Sequence, residues 1–153
     1  MAVNNNKKQL LLQKYTPIGW REWIYLPLYK NYPIKAKIDT GARSSALHAN
    51  SITEYKKDGR SWISFKLEQN NQSLNIKTKL IKHVKITNSF GNEEIRPVIN
   101  LKIKLGIKVW YTDITLAKRT KMTYPMLIGR NTLKKNYIIH SNKSYLTGRN
   151  QII

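Results

Sequence analysis

Alternation of apolar and polar residues dominates this chain, and the 3.6-residue period of amphipathic helices is scarce. Ile34-Lys35-Ala36-Lys37-Ile38 sets three apolar side chains on one face of a strand and two lysines on the other. Trp62-Ile63-Ser64-Phe65-Lys66-Leu67 turns Ile63, Phe65 and Leu67 the same way, and Leu74 to Leu80 alternates again. The run Ile99-Asn100-Leu101-Lys102-Ile103-Lys104-Leu105 meets Gly106, beyond which Trp110, Thr112, Ile114 and Leu116 share a face, as the return arm of a hairpin does. Turn residues separate the runs, at Lys57-Asp58-Gly59-Arg60, Gln69 to Gln72, Asn88 to Asn92 and Ser141 to Ser144. Short strands punctuated this often predict an all-β sandwich or small barrel. One short C-terminal helix is expected over Asn131 to Asn136, with Asn131 as its N-cap. Residues 1–16 are polar or basic with no pattern of partners and are expected to form a flexible basic arm; 17–153 read as one domain.

Composition narrows the chemistry. The chain has 153 residues and no cysteine, so disulfides and thiolate metal sites are excluded. Twenty-eight Lys and Arg against eight Asp and Glu give a formal charge of +20. Such a field draws in polyanions, so RNA, the ribosome and acidic peptides are candidate partners. No stretch approaches the ~20 apolar residues of a membrane span, and Leu10-Leu11-Leu12 is short for a secretory core, so a cytoplasmic protein with no membrane partner is expected. No Gly-x-x-x-x-Gly-Lys-Ser/Thr loop offers an ATP site.

Asp39-Thr40-Gly41-Ala42 follows the first alternating strand directly. A rigid strand end, a glycine that lets the backbone turn closely and a hydroxyl within the turn suit a catalytic carboxylate. On its own the tripeptide is equally an ordinary turn. Far downstream, Met126-Leu127-Ile128-Gly129-Arg130-Asn131 is an apolar strand ending in glycine. The order strand, Asp-Thr-Gly-Ala, long β region, then Leu-Ile-Gly-Arg-Asn resembles that of retropepsins, where the second motif packs beside the Asp-Thr-Gly loop. Gly19-Trp20-Arg21-Glu22-Trp23, the block Ile34 to Ala49, Arg96-Pro97-Val98-Ile99, Pro125 to Arg130 and Ser144-Tyr145-Leu146-Thr147-Gly148 together resemble one bacterial family of retropepsin-like peptidases, labelled ATP-dependent zinc proteases. Some of its members are similar to peptidases paired with ATP-grasp ligases that add glutamates to a ribosomal protein.

The resemblance implies a small closed acid-protease barrel in which Asp39, Thr40 and Gly41 are catalytic. Ala42, Arg43, Ser44, His48, Leu127, Ile128, Gly129 and Arg130 would support the site. An aspartic peptidase needs two carboxylates and the chain offers one Asp-Thr-Gly, so a two-fold homodimer pairing both Asp39 side chains is expected. Asp113 lacks the Thr-Gly turn and reads as a surface strand residue. The hairpin carrying Ser89, Phe90 and Gly91 is the candidate flap, and Lys37 and Arg96 are candidate contacts to an acidic peptide. The expected activity is an aspartic-type endopeptidase that trims glutamate-rich tails. Two alternatives stand beside it: a non-catalytic basic protein that binds RNA or ribosomes, and a zinc protease as the label says. No cofactor is expected. Zinc would require Asp39 and His48 to meet His83 or His140, which the sequence scatters widely.

Overall fold

A computed structural model describes residues 2–69, 71–88, 90–118 and 123–148. Segment 1–16 contains an α-helix, α1 (Ala2–Lys14), exposed over residues 5–10. Its asparagines and lysines leave no apolar stripe, which is why helical periodicity did not mark it.

Eleven strands follow among the described residues: β1 (Thr16–Leu26), β2 (Tyr32–Ile38), β3 (Ser45–His48), β4 (Asn50–Lys57), β5 (Arg60–Gln69), β6 (Gln72–Lys79), β7 (Lys82–Thr87), β8 (Glu93–Leu105), β9 (Lys108–Ala117), β10 (Met126–Ile128) and β11 (Tyr137–Ser144). The main sheet runs β11-β1-β2-β10-β3-β9-β8-β7, and a further pairing of Tyr25 on β1 with Lys104 on β8 closes six of these strands into a mixed barrel. Strands β4, β5 and β6 form a second antiparallel sheet. The alternating runs sit as their pattern requires: Ile34, Ala36, Ile63, Phe65, Ile76, Ile99, Leu101, Ile103, Ile114 and Leu116 all lie in one shared core. Gly106, with φ of +65°, turns the β8–β9 hairpin, a backbone state that favours glycine.

The helix expected at Asn131–Asn136 is absent. Two turns occupy 130–136, with Thr132 N–H donating to the Gly129 carbonyl and Leu133 N–H to that of Arg130. The Asn131 side chain does not cap a helix. Its Oδ1 accepts from the Ser45 hydroxyl, and the Thr132 hydroxyl is drawn into the core against Ser45 and Thr112. Inward-pointing hydrogen bonds outcompete helix propensity here.

Two close approaches hold the barrel in register. Strand β10 is inserted between β2, which it joins in parallel, and β3, which it joins antiparallel. At its end a Cβ on Gly129 would lie 2.5 Å from the Ser44 carbonyl carbon and oxygen, so only glycine fits without moving backbone. On the other side, the fully buried Glu22 carboxylate accepts from the N–H groups of Gly19, Leu146 and Thr147 and from the Thr147 hydroxyl, at 2.6–3.1 Å. This carboxylate joins the motifs at Gly19–Trp23 and Ser144–Gly148, which lie more than a hundred residues apart in sequence. Arg21 reinforces the junction, its guanidinium lying over the Trp20 and Tyr145 rings while donating to Ser144 Oγ and Tyr124 Oη.

Glu22→Ala strands three backbone donors, and urea unfolding should show a loss of about 3–5 kcal/mol. Stability unchanged in that variant would remove the clamp from the account. Gly129→Ala should cost roughly 2–4 kcal/mol in the same measurement, because its methyl meets backbone and not a movable side chain.

Candidate active site

The site grows from β10 and the loop it braces. β2 ends at Ile38, and Asp39 N–H donates to the Ile128 carbonyl at 2.9 Å, carrying the β2–β10 ladder one residue further. The chain then turns, with Ala42 N–H donating to the Asp39 carbonyl and Gly41 N–H to Asp39 Oδ1 at 3.1 Å. A carboxylate held by a backbone donor has a defined direction before any substrate arrives. Asp39 itself is half-buried, and Thr40 and Gly41 are exposed at the turn.

Residues 129–131 run alongside this loop. Arg130 N–H donates to the Ala42 carbonyl at 2.9 Å, Asn131 N–H to that of Arg43 at 3.0 Å, and the Arg130 guanidinium to that of Thr40 at 3.0 Å. Arg130 is therefore a brace for the aspartate turn. Leu127 and Ile128 belong to β10, where Ile128 fills the core and Leu127 faces outward.

Beneath the two loops lies a buried chain of hydroxyls that the motifs do not announce. Ser45 Oγ receives the Gly129 N–H at 3.0 Å and lies 2.5 Å from Thr132 Oγ1, which in turn lies 2.9 Å from Thr112 Oγ1. The Thr115 hydroxyl donates to the Ser45 carbonyl. Satisfied buried networks of this kind fix a unique geometry. Their sequence signal is a hydroxyl at an inward position of an apolar strand, as in Ser45-Ala46-Leu47 and Thr112-Asp113-Ile114.

The β7–β8 hairpin stands over one side of the site. A groove of about 360 Å³ separates Lys85, Ile86, Thr87 and Arg96 on the hairpin from Ala42, Arg43 and Ser44. A neighbouring groove of about 410 Å³ adds Lys82, Val84 and Asp113. The lining begins at Ala42, three residues beyond Asp39. At the hairpin tip Asn88 Oδ1 accepts from the N–H groups of Phe90 and Asn92, Gly91 has φ of +82°, and Phe90 is 88% exposed. Ser89 lies outside the described residues. Two cations at the groove already have partners: Arg96 holds Glu94 at 2.8 Å and Lys85 holds Glu93 at 3.5 Å. The Arg96 hydrogen bond keeps the Glu94 carboxyl below its ordinary pKa. Among the described residues Arg43 forms no ion pair.

Other residues singled out by sequence are not gathered here. Lys37 points outward as the pairing partner of Leu127 and does not line the groove. His48, at the far end of β3, is partly buried and donates its backbone N–H to Pro125. His83 is bound to Glu54 at 2.7 Å, and His140 is exposed on β11. Among the described residues no three His, Asp or Glu side chains come together. Asp113 is exposed and bound by the Asn100 amide at 2.8 Å. No helix of the described residues is long and apolar enough to cross a membrane.

Comparison with known proteins agrees with this geometry. The family model of the retropepsin-like aspartic endopeptidase RimB matches residues 17–150. Probable alpha-L-glutamate ligases of Shewanella pealeana and Desulfotalea psychrophila are each 36% identical, over 86% and 80% of this chain. The chain spans only 30% and 27% of those two proteins. Lpg0085 of Legionella pneumophila, a solved structure of unknown function, superposes with a TM-score of 0.74 at 30% identity, covering 86% of this chain and 97% of that one. With a barrel that carries β10 between β2 and β3, an Asp-Thr-Gly turn braced by Gly-Arg-Asn, and a family match over almost the whole domain, this chain belongs to the RimB-like family of retropepsin-like aspartic endopeptidases.

Proposed function

We propose that the chain is an aspartic-type endopeptidase that acts as a two-fold homodimer on glutamate-rich peptide segments. The observation that carries this reading is the Asp39 turn, directed by Gly41 N–H and braced by Arg130 and β10. A symmetry axis beside that turn supplies the second carboxylate from the partner subunit. Two carboxylates that close share one proton, because both cannot stay ionised together. The ionised member takes a proton from water, whose oxygen bonds to the scissile carbonyl carbon. The protonated member donates to the carbonyl oxygen as it gains charge. Collapse of the tetrahedral diol breaks the C–N bond, and the proton taken from water passes to the leaving amine.

Substrate class follows from charge. Arg43 forms no ion pair among the described residues, and Lys82, Lys85 and Arg96 line the facing hairpin, so carboxylates gain partners along the groove. Glu93 and Glu94 compete for Lys85 and Arg96, which favours a substrate with several acids over one with a single acid. The glutamate ligase name of the relatives points to the same chemistry.

A peptide ending in a run of glutamates should be cleaved by the native chain. Asp39→Asn should lower that rate by about a thousandfold or more while leaving thermal unfolding unchanged. Hydrolysis at the native rate in Asp39→Asn would end the mechanism. Arg43→Gln should raise KM for the glutamate peptide and leave a neutral peptide unaffected.

A further inference from the structure

The second sheet has an outer face that the peptidase reading does not use. On β5, Ile63, Phe65 and Leu67 enter the core, so Trp62, Ser64 and Lys66 point outward. Residues paired directly across antiparallel strands share a face, which lets the register name the neighbours. Trp62 lies between Tyr55 on β4 and Lys79 on β6, and Ser64 between Thr53 and Lys77. Arg60 is opposite Lys57, whose ammonium rests 5.1 Å from the centre of the Trp62 ring. The result is an aromatic pair, both rings half-buried at the surface, bordered by exposed lysines.

The acids nearby are few and peripheral. Glu68 is held by Lys66 at 2.9 Å toward the far end of β5, and Asp58 sits in the hairpin turn. Glu54, the one acid within β4, is opposite Ile63, away from this face, and binds His83. A face that served solubility alone would need the lysines and not two adjacent rings.

We propose that this outer face of β4–β6 docks single-stranded RNA, with Trp62 and Tyr55 as stacking platforms and Lys57, Lys77 and Lys79 on phosphates. An open sheet face can carry splayed bases on aromatic rings while cations follow the backbone. RNA offers such bases in its loops and ends, whereas a duplex keeps them stacked. A glutamate peptide satisfies the lysines and leaves the rings unused. On docking, Lys57 exchanges the Trp62 ring for a phosphate and frees the ring for a base. None of these residues lines the grooves beside Arg43, so the face operates independently of Asp39.

The test is fluorescence anisotropy of a labelled single-stranded RNA of about 12 nucleotides, a length within reach of one such platform. Trp62→Ala should weaken binding about tenfold, and Trp62→Phe should retain most of the affinity. Lys77→Gln with Lys79→Gln should make binding less steeply dependent on salt, since fewer counterions are released. Asp39→Asn should bind as the native chain does. Affinity unchanged within about twofold in a folded Trp62→Ala protein would overturn the proposal. So would a glutamate peptide of equal charge that binds as tightly and loses as much on Trp62→Ala, because that result assigns the face to acidic peptide. Should Trp62→Ala fail to fold, an unaltered salt slope in the double lysine variant would be decisive against it.

Discussion

Strand β10 is three residues long, yet the Asp39 loop has its shape because that strand ends against bare backbone. Gly129 lies on Ser44 with no room for a Cβ, and this closeness lets Arg130 and Asn131 reach the carbonyls of Ala42 and Arg43. The parallel pairing with β2 carries on into Asp39 N–H, so the carboxylate stands on the last rung of a ladder. A loop held this way loses little further entropy on binding, which is the physical content of preorganisation. The buried hydroxyls of Ser45, Thr112 and Thr132 hold the same junction from below.

The distribution of the few acids explains how a protein of such positive charge stays ordered and still presents a basic groove. Glu22 is buried in the clamp that ties β1 to the C-terminal turn. Glu54 joins the second sheet to β7 through His83, and Glu93 and Glu94 sit at the start of β8, paired with Lys85 and Arg96. Asp39 alone combines partial burial with a turn shared by two loops. Among the described residues only Lys66 and Lys85 form lysine–carboxylate ion pairs, so the field of the molecule remains available to polyanions.

Much of this was legible in the sequence because alternation reports burial residue by residue. The runs at Ile34–Ile38, Ile63–Leu67 and Ile99–Leu105 reached the core with the faces the pattern assigned. The Asp-Thr-Gly and Gly-Arg-Asn motifs fell side by side as the resemblance implied. What stayed hidden depends on partners far along the chain. Asn131–Asn136 has the composition of a capped helix, but Thr132 is bound to hydroxyls on β3 and β9, which no local pattern reveals. The roles of Glu22 and Arg130 are likewise set by backbone groups distant in sequence. Dispersed aromatics such as Tyr55 and Trp62 become neighbours only through strand register. Lys37 faces outward on β2, on the side that alternation assigns to it.

The central claim is that one catalytic unit contains two Asp39 side chains, one from each subunit. Mixing native and Asp39→Asn chains in varied ratios, with time for subunits to exchange, tests it directly. If both carboxylates are needed, hydrolysis of a glutamate peptide falls with the square of the native fraction, to about one quarter at an equal mixture. A fall in simple proportion to the native fraction would mean that each chain works alone, and would contradict the shared site.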